Sequence, residues 1–423
     1  MRIWIDLTDF LDWEGSLTGI QRVQYNISKL YIKSGRDVHF FVYQEQSRDF
    51  REVEFDPEEV VKSGVVSNIN KIGKSDRPAF NRRLIQAASR VVPARISRKV
   101  RYIYSKNKSQ TVAAHPSCVF NSNDVVLIMG GIWVGSFIDD LAICKAQEKF
   151  KLIHFAFDMI PSFFPGYVVE WLPDAFTTYK KKVYAISEGI LAISESTAND
   201  VRKFIKLHNI KHDPKIQVVR IGEGINTGDN ATEHSLKDVV GDNFILSVST
   251  IEGRKNHAAL FYVLKEAKQR GIDLPKIVIV GRNGWLTDDI RYMMTHDFDA
   301  RDNIILLNDV DDGGLSWLYK NCLFTVFPSF YEGWGMPVAE SLAYGKLCLS
   351  SNTSSMPEIA GDLIDYFSPY DTGAMLECVE RYLDPQERIE KENRIRHEYK
   401  QTSWSCMHRQ IDAFVQGIGN KDS

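Results

Sequence analysis

The chain has 423 residues, of which 44% are hydrophobic and 25% are charged, and its formal net charge is −3. This length exceeds what one hydrophobic core usually supports, so two domains are expected, and the composition excludes a disordered or fibrous chain. The opening MRIWIDLTDF lacks the basic and apolar regions of a secretory signal, and no apolar run reaches the roughly 20 residues that cross a bilayer. The six cysteines are scattered, without a C-x-x-C motif or a Cys/His cluster. A reduced, cytoplasmic protein is expected, with any membrane contact peripheral.

The first half of the chain alternates strand-like and helix-like segments. Helical patterns cover about 22–33 and 179–187, and the strand-like runs between them are RIWIDL, DVHFFVY, DVVLIMG, KLIHFAFD and ILAISES. This alternation is typical of βαβ units and predicts a parallel, doubly wound sheet.

A basic segment over 71–108 interrupts this pattern. Twelve lysine and arginine residues stand against one acid, Asp76, and apolar residues recur between them at near-helical spacing on either side of Pro93. Two interpretations are open: a solvated insertion that packs its apolar stripe on its own domain, or attachment to an anionic membrane surface. Nucleic acid is not expected as a partner, because no recognised binding motif is present and the whole chain is slightly acidic.

The second half repeats the alternation after a break. The polar stretch over 222–242 lacks apolar periodicity and is predicted to be an exposed linker. The strand-like runs that follow it are FILSVS, KIVIVG, NIILLND, LFTVFPS and LCLSS. Two doubly wound sheets joined by a linker create a cleft, and sheets of this kind bind ligands at the carboxyl ends of their strands.

The segment from Pro328 to Glu340 carries two carboxylates, Glu332 and Glu340, with seven residues between them. If a helix begins near Met336, Glu340 lies about one turn inside it and Glu332 precedes it, so both can face a ligand at the helix N-terminus. Carboxylates accept hydrogen bonds from diols, and the glycines between them leave backbone amides open to phosphate or sugar oxygens. A nucleotide sugar has both parts. The alternative is an ordinary glycine turn whose glutamate stabilises the helix dipole.

With this E-x7-E element, followed by ESLAYGK, the chain resembles the retaining glycosyltransferases of family 4, which have the GT-B fold. The resemblance covers most of the chain, is strongest over 244–371, and includes IEGRKN at 251–256. It implies an α/β protein of GT-B architecture, in which two Rossmann-like, doubly wound domains face a central cleft.

The resemblance also divides the chain. It implies an acceptor-side domain over 1–222, which contains the basic segment, and a nucleotide-sugar-binding domain over 243–400. The remaining residues, 401–423, are expected to form a helix that crosses back to the first domain.

Residue by residue, the resemblance implies a donor site. Glu340 is the expected partner of the ribose hydroxyls, Glu332 that of the hexose hydroxyls, and Lys255 is expected to neutralise the donor diphosphate. Ser249 stands where the family often has an arginine, and Arg254 is expected to compensate. The other donor-side residues that it implies are Gly281, Arg282, Val310, Gly333, Trp334 and Gly335.

On the acceptor side, the loop that opens the first helix resembles the corresponding family loop. The acceptor-side residues that it implies are Gly19, Gln21 and Arg22. The stretch KLIHFAFDMIP resembles the family's strand-end His-Asp segment, but Phe157 occupies the histidine position, which leaves Asp158 as the candidate. His154 should face the other side of the strand from residue 157 and is expected to be a core residue.

The function that the resemblance implies is retaining transfer of a hexose from a nucleoside-diphosphate sugar to an alcohol acceptor. A lipid-linked glycan of bacterial polysaccharide or O-antigen assembly, at the cytoplasmic face of the membrane, is the expected acceptor. Glu332, Lys255 and Asp158 are the candidate catalytic residues, and no metal or other cofactor is expected, because no D-x-D element stands out in a sheet-end setting. Two alternatives stay open: another GT-B enzyme, such as an epimerase or a phosphorylase, and a sugar-binding protein without catalysis.

Overall fold

The computed structural model describes residues 1–11, 13, 17, 19–57, 116–224, 233–285 and 287–420. The basic segment over 71–108 lies outside these residues. Within them the chain forms two α/β domains, each built around one sheet.

The first sheet has seven strands over the described residues. Their bounds are Ile3–Asp6 (β1), Val38–Gln44 (β2), Asp49–Val53 (β3), Val125–Ile128 (β4), Lys151–Ala156 (β5), Gly189–Ala192 (β6) and Lys215–Val218 (β7). The strand order is β3-β2-β1-β4-β5-β6-β7, and the neighbours pair in parallel except for the antiparallel β2–β3 hairpin.

The second sheet repeats this plan with six described strands. Their bounds are Phe244–Val248 (β8), Lys276–Val280 (β9), Ile304–Leu307 (β10), Thr325–Phe327 (β11), Cys348–Ser351 (β12) and Tyr366–Phe367 (β13). All neighbours pair in parallel in the order β10-β9-β8-β11-β12-β13, which is the doubly wound order found in dinucleotide-binding folds.

Both faces of each sheet are buried. In β1, Ile3 and Ile5 belong to one apolar cluster, whereas Trp4 between them belongs to another on the opposite face. In β8, Ile245 likewise faces away from Leu246. Because central strands such as β1 and β8 are covered on both sides, their sequences are largely apolar, whereas the edge strands β3 and β7 are partly exposed and carry polar residues.

Helices connect the strands. In the first domain they are Thr8–Leu11 (α1), Gly19–Lys33 (α2), Phe137–Glu148 (α3), Ile160–Phe163 (α4), Leu172–Ile186 (α5) and Glu195–Leu207 (α6). In the second they are Glu233–Val240 (α7), His257–Arg270 (α8), Asp288–His296 (α9), Ala300–Asn303 (α10), Asp312–Asn321 (α11), Met336–Ala343 (α12), Met356–Ala360 (α13), Thr372–Arg381 (α14) and Pro385–Glu398 (α15). Two 3-10 turns, Pro165–Tyr167 and Gly253–Lys255, and a last helix, Trp404–Gly419 (α16), complete the described elements.

The predicted linker over 222–242 is only partly irregular. Residues 233–240 form helix α7, so the prediction of a stretch without apolar periodicity is wrong for them, although residues 237–239 are exposed as predicted. Leu236 and Val240, one helical turn apart, pack into the apolar cluster behind β8.

The last helix, α16, packs on the first domain although it follows the second in sequence. Trp404 at its start lies directly on Gly222, and Phe414 packs against Gly189 in β6. Arg36, just after α2, pairs with Asp412 of α16 at 2.6 Å. The chain thus returns across the cleft and ties its end to the domain where it began.

Candidate active site

The strand order of the second sheet reverses between β8 and β11, whose neighbouring carboxyl ends create a crevice. The loop after β8 carries Arg254 and Lys255, and the loop after β11 carries Glu332. Lys255 and Glu332 meet here although they are 77 residues apart in the chain.

Glu332 is the centre of a buried ion-pair network. Its Oε1 accepts hydrogen bonds from Lys255 Nζ and from Ser329 Oγ, each at 2.6 Å, and its Oε2 lies 2.7 Å from Arg254 Nη1. Arg254 pairs through Nη2 with Glu252, also at 2.6 Å. Because the charged side chains are largely buried, salt screens these contacts little.

The network sets the charge of Glu332. Burial alone would raise the pKa of this carboxyl, but the charges of Arg254 and Lys255 outweigh burial and lower the pKa to about 2. Burial lowers the pKa of Lys255, the charge of Arg254 lowers it further, and Glu332 opposes both effects. Glu332 is therefore ionised at neutral pH, with two basic side chains beside it that could receive a diphosphate.

Glu340, on α12, is buried and is bound from both domains. Its Oε1 lies 3.2 Å from Nη1 of Arg22, which belongs to α2 of the first domain. Its Oε2 accepts a 2.9 Å hydrogen bond from the Tyr319 hydroxyl. Arg22 also reaches Asp312 at the start of α11, at 3.4 Å. Burial raises the pKa of Glu340, and the charge of Arg22 opposes that rise.

Two glycines shape the loop between the glutamates. Gly335 has φ of 119°, a region that side chains rarely adopt, and α12 begins directly after it. A side chain on Gly333 would overlap the carbonyl oxygen of Phe157 in the first domain. The two domains therefore touch backbone to backbone at a position where only glycine fits.

Helix α6 of the first domain holds this contact in place. Ser194, its N-cap, donates from Oγ to the carbonyl oxygen of Gly333 at 2.7 Å. The carboxylate of Glu358, on α13 of the second domain, accepts the backbone N–H groups of Glu195 and Ser196 at 2.7 Å each. These N–H groups belong to the first turn of α6 and have no partner inside the helix, so the second domain completes the cap of a first-domain helix. The sequence alone did not predict this contact.

Ser249 and Gly281, both predicted on the donor side, lie at the ends of β8 and β9. Ser249 is half-buried, and its Oγ lies 3.0 Å from His257 Nε2. A side chain on Gly281 would overlap the Ser249 carbonyl oxygen, so the two strand ends approach closely only because residue 281 is glycine.

The remaining residues that the sequence predicts on the donor side differ in their burial and in their contacts. Val310 is half-buried and packs against Gly314 in the first turn of α11. Arg282 is exposed, and its carbonyl oxygen accepts the N–H of Ile251 at 2.9 Å. Trp334 turns its ring into the core, where the side chain is 4% exposed, so only its backbone can meet a ligand.

The acceptor-side prediction falls on the start of α2. Gly19, with φ of 44°, is the first residue of this helix, and Gln21 is buried in its first turn. Arg22, in the same turn, is directed to Glu340 and Asp312 of the second domain. Of the three residues, Arg22 is the one with a described contact across the domain interface, and it contacts the group predicted to hold the ribose.

Asp158 follows β5 next to the Gly333 contact. It accepts the N–H of Ile160 at 2.9 Å, and burial raises its pKa, whereas the charge of Arg254 opposes the rise and that of Glu332 adds to it. Asp158 is thus within electrostatic reach of the Glu332 network. His154 is fully buried, which confirms the expectation of a core residue.

Within the described residues, no group of three His, Cys, Asp or Glu side chains is placed to hold a metal ion. None of the described helices is both long and apolar enough to cross a membrane. The six cysteines are free thiols.

Comparison with known families finds a match for the second half of the chain. Residues 230–402 match the family described as glycosyl transferases group 1, so this part of the chain carries a domain of that group. The chain is similar to the serotype-specific mannosyltransferase WbdA of Escherichia coli, with 30% identity over 240 residues, 54% of this chain and 29% of that protein. It is also similar to the O-antigen chain mannosyltransferase B of Escherichia coli, with 30% identity over 173 residues, 40% of this chain and 45% of that protein. The matches thus span less than half of the length of either relative.

The whole fold matches solved structures. One of them is Anabaena Alr3699/HepE in complex with UDP-glucose, with a TM-score of 0.64, 12% identity, and coverage of 99% of this chain and 100% of that one. A similarity at such low sequence identity is evidence for the fold alone. The predicted GT-B architecture, with two doubly wound α/β domains, is confirmed.

Proposed function

We propose that this chain is a retaining glycosyltransferase that moves a hexose from a nucleoside-diphosphate sugar to an alcohol acceptor. The observation that carries the proposal is the meeting of Lys255 and Arg254 with Glu332 at the reversal point of the second sheet. This site lies inside the part of the chain that matches glycosyl transferases group 1. Mannose is the hexose we favour, because both Escherichia coli relatives are named as mannosyltransferases.

In the proposed donor complex, the diphosphate binds beside Lys255 and Arg254. The ribose hydroxyls bind Glu340, and the hexose hydroxyls bind Glu332, since ionised carboxylates accept paired hydrogen bonds from neighbouring hydroxyls. On binding, each glutamate gives up part of its ion pairing and forms hydrogen bonds to the ligand in its place.

The proposed chemical step is a displacement on one face of the hexose. The bond between the anomeric carbon and the diphosphate oxygen breaks, and a bond to the acceptor oxygen forms on the same face. The acceptor proton passes to the departing diphosphate, whose growing negative charge is stabilised by Lys255 and Arg254. Asp158, beside the Gly333 contact, shapes the space in which the hexose meets the acceptor. The reaction needs no metal ion in this scheme.

The proposed acceptor is a lipid-linked glycan of bacterial polysaccharide or O-antigen assembly, reached at the cytoplasmic face of the membrane. The support for this setting is the name of the O-antigen relative and the basic composition of 71–108.

A flotation experiment tests attachment of the basic segment to the membrane, with Arg82, Arg83, Arg95, Arg98 and Lys99 changed to glutamine. We expect the parent to float with anionic liposomes at low salt and the variant to stay behind, since surface charge attraction is screened by salt. Equal flotation of the two proteins would exclude this role of the segment.

Product analysis with GDP- and UDP-linked hexoses tests the transferase itself. We expect release of free nucleoside diphosphate together with an acceptor glycoside of retained anomeric configuration, read by NMR. An isomerised sugar nucleotide without release would indicate an epimerase, and a strict requirement for inorganic phosphate would indicate a phosphorylase. A nucleoside diphosphate at 100 times its Kd should also stabilise the protein by about 2.7 kcal/mol, and lack of stabilisation by any of them would argue against the donor site.

A further inference from the structure

The short helix α13 of the second domain is held by the first domain at Glu358. The Glu358 carboxylate accepts the backbone N–H groups of Glu195 and Ser196, each at 2.7 Å. The carbonyl oxygens of Glu358 and Ile359 accept from Arg220 Nη2, at 3.3 and 3.1 Å. Arg220 follows β7 of the first sheet. Both the side chain and the backbone of Glu358 are therefore bound from the other domain.

Two serines just before α13 hold the loop that carries Glu332. The N–H of Glu332 donates to Ser354 Oγ at 2.9 Å, and the carbonyl oxygen of Glu332 accepts from Ser355 Oγ at 3.1 Å. Ser355 Oγ shares its proton with the carbonyl oxygen of Trp334. The peptide groups on both sides of Glu332 are thus fixed by the residues that lead into α13.

The geometry of these serines serves the Glu332 loop more than it serves α13. Ser355 is the N-cap of α13, yet its Oγ makes no capping bond within this described helix and is directed to the loop instead. Ser354 has φ of 49°, in the left-handed region that residues other than glycine seldom adopt. Backbone strain of this kind persists only where the surrounding contacts enforce it, and it is concentrated at functional sites.

Helix α13 links the first-domain contacts to the Glu332 loop. Ser354 and Glu358 are four residues apart, which corresponds to about 6 Å in helical geometry. Since no flexible loop separates the two, a displacement of Glu358 relative to α6 reaches the backbone of Glu332. The loop also has a contact of its own with α6, where the Tyr331 hydroxyl donates to Asp200 at 2.7 Å. The place of the Glu332 carboxylate therefore depends on where α6 lies.

We propose that Glu358 is a positioning residue that couples contact between the two domains to the place of Glu332. While α6 binds Glu358, α13 and its two serines hold the Glu332 carboxylate where the donor hexose binds, and separation of the domains releases that restraint. The inference rests on the proposed transferase function. It adds that the hexose is held for reaction only while the acceptor-side domain is in contact.

A double-mutant cycle tests the coupling, with Glu358→Ala and Glu332→Ala made singly and together. We expect Glu358→Ala to lower kcat about tenfold, with a much smaller change in the KM of the donor. Glu358→Gln, whose amide oxygen still accepts an N–H, should keep part of the lost rate and is the milder variant for folding. The double variant should be little slower than Glu332→Ala, because a residue that acts through another has no further effect once that other is gone. Losses that multiply, or an unchanged kcat in Glu358→Ala, would overturn the coupling.

Asp384→Ala is the matched control, because Asp384 caps a helix within the second domain. Its carboxylate accepts the N–H of Gln386 at the start of α15, at 2.7 Å. Removal of this cap should lower the unfolding midpoint without the fall in kcat. An equal fall in kcat in Asp384→Ala would assign the effect of Glu358→Ala to lost stability and would contradict a positioning role.

Hydrogen exchange, read by mass spectrometry, tests the coupling without the transferase reaction. Glu358→Ala should speed exchange in the first turn of α6 and also over 329–334, whereas Asp384→Ala should speed it at the start of α15. Faster exchange in Glu358→Ala that is confined to α6 would overturn the coupling. A parent that neither binds nucleoside diphosphates nor transfers hexose would count against the transferase proposal, and the exchange pattern would still decide whether Glu358 holds the Glu332 loop.

Discussion

Arg22 of the first domain and Glu340 of the second meet across the domain interface, with Nη1 and Oε1 3.2 Å apart. A carboxylate that is to bind ribose hydroxyls must be ionised, yet burial raises the pKa of Glu340 and Arg22 is the first of the groups that hold it down. This pair therefore couples domain contact to the charge of the proposed nucleotide site.

Arg22→Gln should make nucleotide binding more sensitive to acid. Without the opposing charge, the pKa of Glu340 rises further, and binding that depends on its ionised form is present above that pKa and lost as the pH falls through it. Titration calorimetry with GDP and UDP across pH should show the loss at a higher pH in the variant than in the parent. Arg36→Gln, which breaks the ion pair with Asp412 on α16, is the control. Coinciding profiles of Arg22→Gln and the parent would contradict the coupling.

Replacing Glu340 and replacing Glu332 should affect different steps of the reaction. Glu340→Ala is expected to weaken nucleotide affinity, whereas Glu332→Ala should mainly lower turnover, because the hexose changes charge most in the transition state. Each loss should be about 1.5–3 kcal/mol, or roughly tenfold to a hundredfold. Calorimetry and steady-state rates measure the two effects, with the exposed Glu387→Ala as the control. Unchanged affinity in the first variant and unchanged turnover in the second would remove both assignments.

Lys255→Ala should reduce kcat more than donor affinity, since the negative charge of the leaving diphosphate grows as its bond breaks. Lys320→Ala, at an exposed position of α11, should behave like the parent. Excess EDTA should leave the parent rate unchanged. A rate that disappears with EDTA and returns with magnesium or manganese would rule out the metal-independent scheme.

Gly333→Ala should separate binding from catalysis. The added methyl group overlaps the Phe157 carbonyl oxygen, so the first domain must move away at a cost of about 1–3 kcal/mol. Nucleotide affinity, which depends on the second domain, should fall less than turnover, which needs both. Gly417→Ala, where an added methyl group meets nothing within 4 Å, is the control. Equal turnover in Gly333→Ala and the parent would mean that this backbone contact is dispensable.

Asp6→Asn should flatten the dependence of stability on pH. Burial, and then the charge of Asp9, raises the pKa of Asp6 to about 7, above its value in an unfolded chain. The folded state therefore binds the extra proton, and the stability it contributes is lost as the pH rises through about 7. Unfolding midpoints between about pH 5 and about pH 8 should decline more steeply in the parent than in Asp6→Asn. Parallel curves would show that Asp6 keeps an ordinary pKa.

The fold could be predicted from the sequence because its strands and helices leave local patterns of apolar residues in the sequence. Runs such as KIVIVG and DVVLIMG are buried on both faces, and this burial leaves a continuous apolar pattern that no other common strand setting requires. Helix α7 escapes prediction because, among those of its side chains that the structure describes, only Leu236 and Val240 pack inward, and two apolar residues do not stand out within a polar stretch.

The site could be predicted only in part. The E-x7-E spacing identified Glu332 and Glu340, but their partners come from distant segments: Arg22 is 318 residues from Glu340. No periodicity encodes such a pairing. Likewise, nothing local distinguishes Glu358 as the group that caps α6, because its role depends on how the two domains meet.

The shared cap at α6 has a consequence for engineering. Its first turn is satisfied by Glu358 of the second domain, and its cap residue, Ser194, holds the Gly333 carbonyl of that same domain. A chimera that joins this first domain to the second domain of another transferase would leave helix N–H groups unmet unless a carboxylate returned at the position of Glu358. The two domains are therefore not interchangeable modules. Recombination between relatives should succeed where the chimera keeps Ser194, Gly333 and Glu358 together.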